Sequence, residues 1–260
     1  MLYPRARDSK VKHLSLIADD IGASDGIDES VVHLASLGIV DAAAAFTTYG
    51  SITGFALSLP KKTRLGLHLN VSSGEPLTAA SRIPTLVDKD GRFHAPMHYP
   101  GTTPQQKVKR YTSSLRQSAH ADEIELEFRA QFLQFVHYVG HDPEFICVHH
   151  DLDTVEKIDH SATSATGLPG RQRRLRTGTL ARYEYALHPT SASLKEIEGY
   201  FQEQFLLARS TVGLTEVITH PAANTAGLES FSLYGVQRTL EFEALLNLDR
   251  NTKIASTNAV

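Results

Sequence analysis

A chain of 260 residues, 41% hydrophobic and 21% charged, has ordinary globular composition and is long enough for one large α/β core, a (β/α) barrel included. Its 26 basic and 29 acidic residues give a formal charge of −3, which argues against a nucleic-acid footprint, and a single cysteine, Cys147, excludes an internal disulfide or a multi-cysteine metal cluster. No stretch reads as a secretory signal or reaches the roughly 18 apolar residues of a membrane span, so a cytoplasmic protein engaging neither nucleic acid nor membrane is expected.

Short apolar runs alternate with segments of helical period, the pattern of βα units around a mainly parallel sheet. Leu14 to Ala18 is the first strand, ending at Asp19, Asp20 and a turn at Gly22. Ser24 caps a helix carrying Ile27, Val31, Leu34 and Leu37, with Gly38 as its stop. A second strand runs from Ile39 through the alanines to Phe46, and a short helix around Phe55 to Leu59 stops at Pro60. Arg64 to Asn70 alternates as a third strand. Residues 72–121 read mostly as loop, with a polar helix near Gln105 to Leu115.

Asp122 and Glu125 make a capping box for the strongest helix, whose stripe of Phe128, Phe132, Phe135, Val136 and Val139 ends at Gly140. That stripe fits either internal packing or a homodimer. Phe145 to Val148 is a strand, Ser193 with Glu196 caps another amphipathic helix, and Glu216 to Thr219 is a strand ending at His220. A last helix spans about Val236 to Leu246. Residues 159–185 show no sustained period, and Arg171 to Arg176 read as a solvated basic loop, with an anion-binding loop as the alternative. Residues 249–260 read as a poorly ordered tail. Nothing marks a linker, so 1–260 is taken as one domain.

Four of these strands end in groups that bind metals or move protons: Asp19-Asp20, His68, His149-His150 and His220. In a parallel α/β sheet the carboxyl ends of the strands share one edge, so residues some 200 positions apart can meet there. One carboxylate and two imidazoles hold a divalent ion with positions left for water and substrate. A second carboxylate and a further imidazole then supply a base and an acid, the inventory for metal-assisted hydrolysis of an amide or ester.

The stretch IADDIGASDGIDESVVHLASLGIVDAAAAF resembles the opening of the YdjC-like carbohydrate deacetylases, which read NADDFG, a helix and a GIVTS strand. RLGLHLNVSSGEPLT with IPTLVDKDGRF resembles that family's second block, FICVHHD its DSHHHVH block and EVITHPA its CHP block. The resemblance implies a distorted (β/α) TIM-like barrel, one Mg2+ or Zn2+ ion, and removal of acetyl groups from N-acetylated sugars such as chitooligosaccharides. Carried over by position, Asp20, His68 and His149 match the metal ligands, Asp19 the general base and His220 the general acid. Spacing alone does not rank His149 above His150.

The chain departs from the family in places. Ile17 stands for an asparagine, Cys147-Val148 for Asp-Ser, and Asp151-Leu152-Asp153 for His-Val-His. Loss of that aspartate would deprive a metal-ligating histidine of its orienting partner, a change worth about 10–100-fold in affinity or activity. His150, Asp151 and Asp153 are retained as further site candidates. Segment 159–185 matches nothing in the family, although a substrate-binding arginine is usual there. These departures leave a catalytically impaired sugar- or metal-binding relative as one alternative. A metal phosphoesterase is a weaker one, since neither a two-metal ligand set nor a phosphate-cradling glycine loop is visible.

Overall fold

Six strands, all parallel, form one sheet in the order β4-β3-β2-β1-β6-β5. They are β1 Lys12–Ile21, β2 Ala42–Ala45, β3 Arg64–Leu69, β4 Ile146–Val148, β5 Arg182–Tyr185 and β6 Gly213–Thr219. The computed structural model describes residues 12–49, 54, 58–186, 189, 191–228, 232 and 234–252. Its longer helices are α1 Asp25–Ser36, α2 Pro104–Ser118, α3 Ala121–Val139, α4 Glu156–Thr166, α5 Arg171–Arg176, α6 Leu194–Ser210 and α7 Gly235–Thr252. This is the expected α/β architecture, a curled parallel sheet forming the wall of a distorted TIM-like barrel.

Strand alternation divides the interior into two layers. Leu16, Ala18, Ala43, Ala45, Leu65 and Leu67 join the main core beneath the helices, whereas Ile17, Ala42, Ala44, Phe145 and Cys147 pack together as a separate cluster. The four alanines of β2 let neighbouring strands carry the bulk. At Gly66 a Cβ would lie 2.5 Å from the Phe145 ring, so only glycine leaves room for that ring. The alternation that places Phe145 and Gly66 among these residues places Cys147 and His68 two positions further toward the carboxyl edge.

Local signals set the ends of most elements. Ser24 Oγ accepts the Ile27 N–H at 3.3 Å, Gly140 stops α3 in the left-handed region, and Ser193 with Glu196 closes a capping box. The stripe on α3 packs inward: Phe128 and Phe135 are fully buried and Phe132 packs on the same core. Each buried phenylalanine contributes about 1.5–3 kcal/mol of apolar burial.

Three expectations need correction. The box at Asp122 and Glu125 does not form, because α3 begins at Ala121 with His120 as an N-cap that makes no side-chain bond. The next carboxylate, Glu123, instead accepts from the Thr85 N–H and hydroxyl, while Glu127 accepts from the Leu77 and Thr78 N–H groups. Backbone amides in the long 72–121 segment needed buried acceptors, and α3 provides them. Segment 159–185 is not a loop: it holds most of α4, all of α5 and β5. The last helix continues past Asp249 to Thr252, so that part of the expected tail is helical. Phe55 to Leu57, in the expected short helix, and residues 253–260 lie outside the described residues.

Candidate metal and catalytic centre

Two adjacent aspartates in a regular strand would point to opposite faces. Here β1 carries a bulge between Ala18 and Ile21, and Asp20 adopts φ +75°. That local turn brings Asp20 to the side where Asp19 already lies, so both carboxylates reach the carboxyl end of the sheet. Both are fully buried.

Around Asp20 three donor atoms converge. Its Oδ1 lies 3.1 Å from His68 Nε2 and 3.4 Å from His149 Nδ1, and those two nitrogens are 3.1 Å apart. A triangle with these sides has a circumradius of about 1.9 Å, shorter than the bonds of about 2.0–2.2 Å that zinc makes to nitrogen or oxygen. One cation just off the plane can therefore touch all three. Among the described residues, the buried Asp20 Oδ1 faces the two imidazole nitrogens and has no other polar partner, the setting of an oxygen able to ligate a cation. Its other oxygen is held by Arg238 Nη2 at 2.7 Å. Burial works against the Asp20 carboxylate, but Arg238 and the two imidazoles outweigh it and hold the pKa well below the usual range.

Asp19 has a different partner. Arg171 donates from Nη1 to Oδ2 and from Nη2 to Oδ1, both at 2.9 Å, a bidentate clamp with no exposed surface. Burial raises the Asp19 pKa, while Arg171, then His68 and His220, pull it lower still, so the group is ionised. Arg171 also lies 3.6 Å from Glu216 on β6, whose other oxygen meets Arg174 at 2.7 Å. Arg171 and Arg174, three apart on α5, are buried together, whereas Arg173 and Arg176 pair with Asp159 toward the outside. The solvated-loop reading of Arg171 to Arg176 thus fails: two acids buried in strands require buried cations, and this hexapeptide supplies them.

The other sequence candidates fall in distinct places. A cavity of about 470 Å3 is lined by Asp19, Asp20, His68, His149, His150, Asp151 and His220. His150 and Asp151 follow His149 in left-handed backbone, at φ 58° and 56°. The His150 ring packs tilted against that of His149, with centroids 3.8 Å apart and planes 40° apart, and its Nδ1 lies 2.9 Å from Ser72 Oγ. Asp151 accepts hydrogen bonds from the Tyr183 and Tyr185 hydroxyls, joining the end of edge strand β4 to edge strand β5. Asp153 stands behind the cavity, accepting the Gln172 N–H at 3.2 Å, and burial beside Asp151 pushes its pKa up to about 7. None of these three belongs to a metal-ligating group among the described residues. His220 lies face-on to the Tyr185 ring, and burial pushes its pKa down to about 4.

Cys147 is adjacent to His68 across β3 and β4, with Sγ 2.9 Å from His68 Nδ1. The expected loss of an orienting partner is therefore not a vacancy, since the thiol occupies that contact. Sequence reasoning missed Arg171, Arg174 and Arg238. The available signal for Arg171 and Arg174 was the three-residue spacing in an otherwise unexplained basic run.

The family model for YdjC-like proteins matches residues 13–255. The chain belongs to the YdjC-like family. It is 27% identical over 245 residues to a carbohydrate deacetylase of Halalkalibacterium halodurans, covering 89% of this chain and 94% of that protein. A carbohydrate deacetylase of Clostridium beijerinckii is 26% identical, with 90% and 91% covered. A chitooligosaccharide deacetylase of Klebsiella pneumoniae is 28% identical over 144 residues, covering 54% of this chain and 50% of that protein. In three dimensions the chain is similar to the crystal structure of an Enterococcus faecalis protein provisionally described as a cellobiose-phosphate cleavage protein. The TM-score is 0.71 at 20% identity, over 95% and 94% of the two chains, and supports the fold. Among the described residues no helix is long and apolar enough to cross a membrane.

Proposed function

We propose that this YdjC-like protein is a metal-dependent hydrolase that removes the acetyl group from an N-acetylated sugar of chitooligosaccharide type. The observation that carries the reading is the triangle of Asp20 Oδ1, His68 Nε2 and His149 Nδ1 on the wall of a cavity that also holds Asp19 and His220. Relatives named as carbohydrate deacetylases support the substrate class. The two imidazoles favour zinc over magnesium, which prefers all-oxygen surroundings. A divalent ion held there would polarise the amide carbonyl and make the attacking water more acidic.

The protein's own groups supply the rest. Asp19, fixed by Arg171, keeps lone pairs on both oxygens and takes the proton from the attacking water. The leaving nitrogen needs that same proton. Burial holds His220 neutral in the ligand-free site, so it serves as the acid by first taking that proton from Asp19 and then passing it to the leaving nitrogen. Among the described residues the buried His220 Nδ1 has no hydrogen-bond partner, leaving it able to engage a ligand.

One wall of the cavity is α2, through Gln105, Lys109, Thr112 and Arg116, spaced four, three and four residues apart on one face. Tyr111 and Leu115 of the same helix are buried on the other side. Such a polar face suits sugar hydroxyls, and the cavity falls within the roughly 300–1,000 Å3 of small-molecule sites.

Both grounds for a non-catalytic relative are weakened, because segment 159–185 supplies the Arg171 clamp and Cys147 faces His68. Acetate release from diacetylchitobiose tests the proposal. Activity should disappear on chelation, return with zinc, and be abolished by Asp19→Asn and by His68→Ala. Full activity in His68→Ala would refute it.

A further inference from the structure

Cys147 is fully buried, and two groups of the centre face its sulfur. His68 Nδ1 is 2.9 Å from Sγ, and Asp19 Oδ1 is 3.8 Å from it, with the Leu67 carbonyl at 3.9 Å. If His68 holds a cation through Nε2, the ring proton must reside on Nδ1, and the hydrogen bond made there fixes the tautomer and the ring's angle. Asp19 Oδ2, at 3.9 Å from Nδ1, is too far to accept that bond. Among the described residues the sulfur is the acceptor within reach.

We propose that Cys147 is a positioning residue whose sulfur accepts the His68 Nδ1–H while its S–H points to the Asp19 carboxylate, so that one thiol orients both a metal ligand and the base. This role rests on the metal-dependent reading above. A thiol can accept and donate at once. A carboxylate in its place would accept more strongly but would set a second negative charge against Asp19. Strand register supports the role, since His68 and Cys147 are direct partners in the β3–β4 ladder.

Zinc titration of the metal-free, full-length protein by calorimetry tests this without turnover. Cys147→Ala should weaken zinc binding about 10–100-fold, the usual effect of losing a partner behind a metal-bound histidine. Cys147→Ser, which keeps a donor and an acceptor, should stay within about 3-fold of wild type. Long-range 1H–15N spectra of the zinc-loaded wild type should place the His68 proton on Nδ1. Thermal unfolding of the metal-free variants checks that they fold, and Cys147→Val, which has no polar group, replaces the alanine variant should that one not fold. Equal zinc affinity in wild type and alanine variant, or a proton on His68 Nε2, overturns the role of Cys147 while leaving the metal site standing. Failure of the wild type to bind any divalent cation overturns the metal reading and this role with it.

Discussion

Replacing Arg171 by methionine asks most of the structure. The guanidinium has essentially no exposed surface and makes two 2.9 Å bonds to Asp19, with Glu216 3.6 Å from its Nε. Methionine roughly preserves volume and apolar packing, so the loss is mainly electrostatic. Removing one partner of a buried ion pair costs about 3–5 kcal/mol, because the remaining charge is stranded without solvent. Against a typical stability of about 5–15 kcal/mol, that is a large fraction. Arg171→Met should therefore lower the urea midpoint of the metal-free protein sharply. Adding Asp19→Asn should restore much of the loss, since it removes the stranded charge, yet the double variant should release no acetate. Arg176→Met, in the same hexapeptide, replaces a side chain that is 58% exposed and should cost less than about 1 kcal/mol. An Arg171→Met variant as stable as Arg176→Met would show that Arg171 is solvated, and would remove the account of how Asp19 is held.

Glu241, buried on α7, accepts from the Thr219 hydroxyl and the His220 N–H, and burial pushes its pKa up to about 7. The folded state thus holds this proton more tightly than the unfolded chain does, so the associated stability is full below about pH 4.5 and is lost as pH rises through about 7. Urea unfolding at pH 5 and pH 8 should show wild type losing more stability across that interval than Glu241→Gln; identical losses would contradict this. Lys109→Ala and Arg116→Ala, on the α2 wall, should raise KM for diacetylchitobiose several-fold with kcat nearly unchanged, as expected for groups that bind ground and transition states alike. An equal fall in kcat and kcat/KM would place them in the chemistry instead.

How much of this centre the chain discloses depends on what kind of constraint each residue answers to. Strands announce themselves by apolar runs, and polar residues at their carboxyl ends announce a site, so Asp19, Asp20, His68, His149 and His220 could be named and the structure lines one cavity with all five. What alternation could not supply was the side each carboxylate faces. A regular β1 would have sent Asp20 away from Asp19, and the φ +75° turn that prevents this has no glycine to signal it. Asp20 therefore stores part of the site's geometry as backbone strain of about 1–3 kcal/mol.

The arginines were hidden for another reason. Arg171 and Arg238 come 152 and 218 residues after the aspartates they hold, so their pairing belongs to the tertiary fold, and hydrophobic periodicity carries no trace of it. Charge balance does carry one. Asp19, Asp20 and Glu216 lie on or next to buried strands, and an ionised carboxylate in that setting needs a cation at hydrogen-bonding distance. The chain offers few basic residues flanked by neither a loop signature nor a surface helix, and the run from Arg171 to Arg176 is the most conspicuous. Its lack of apolar period arises because α5 packs inward through guanidinium groups, with Arg171 and Arg174 taking positions that leucines would occupy in an ordinary amphipathic helix.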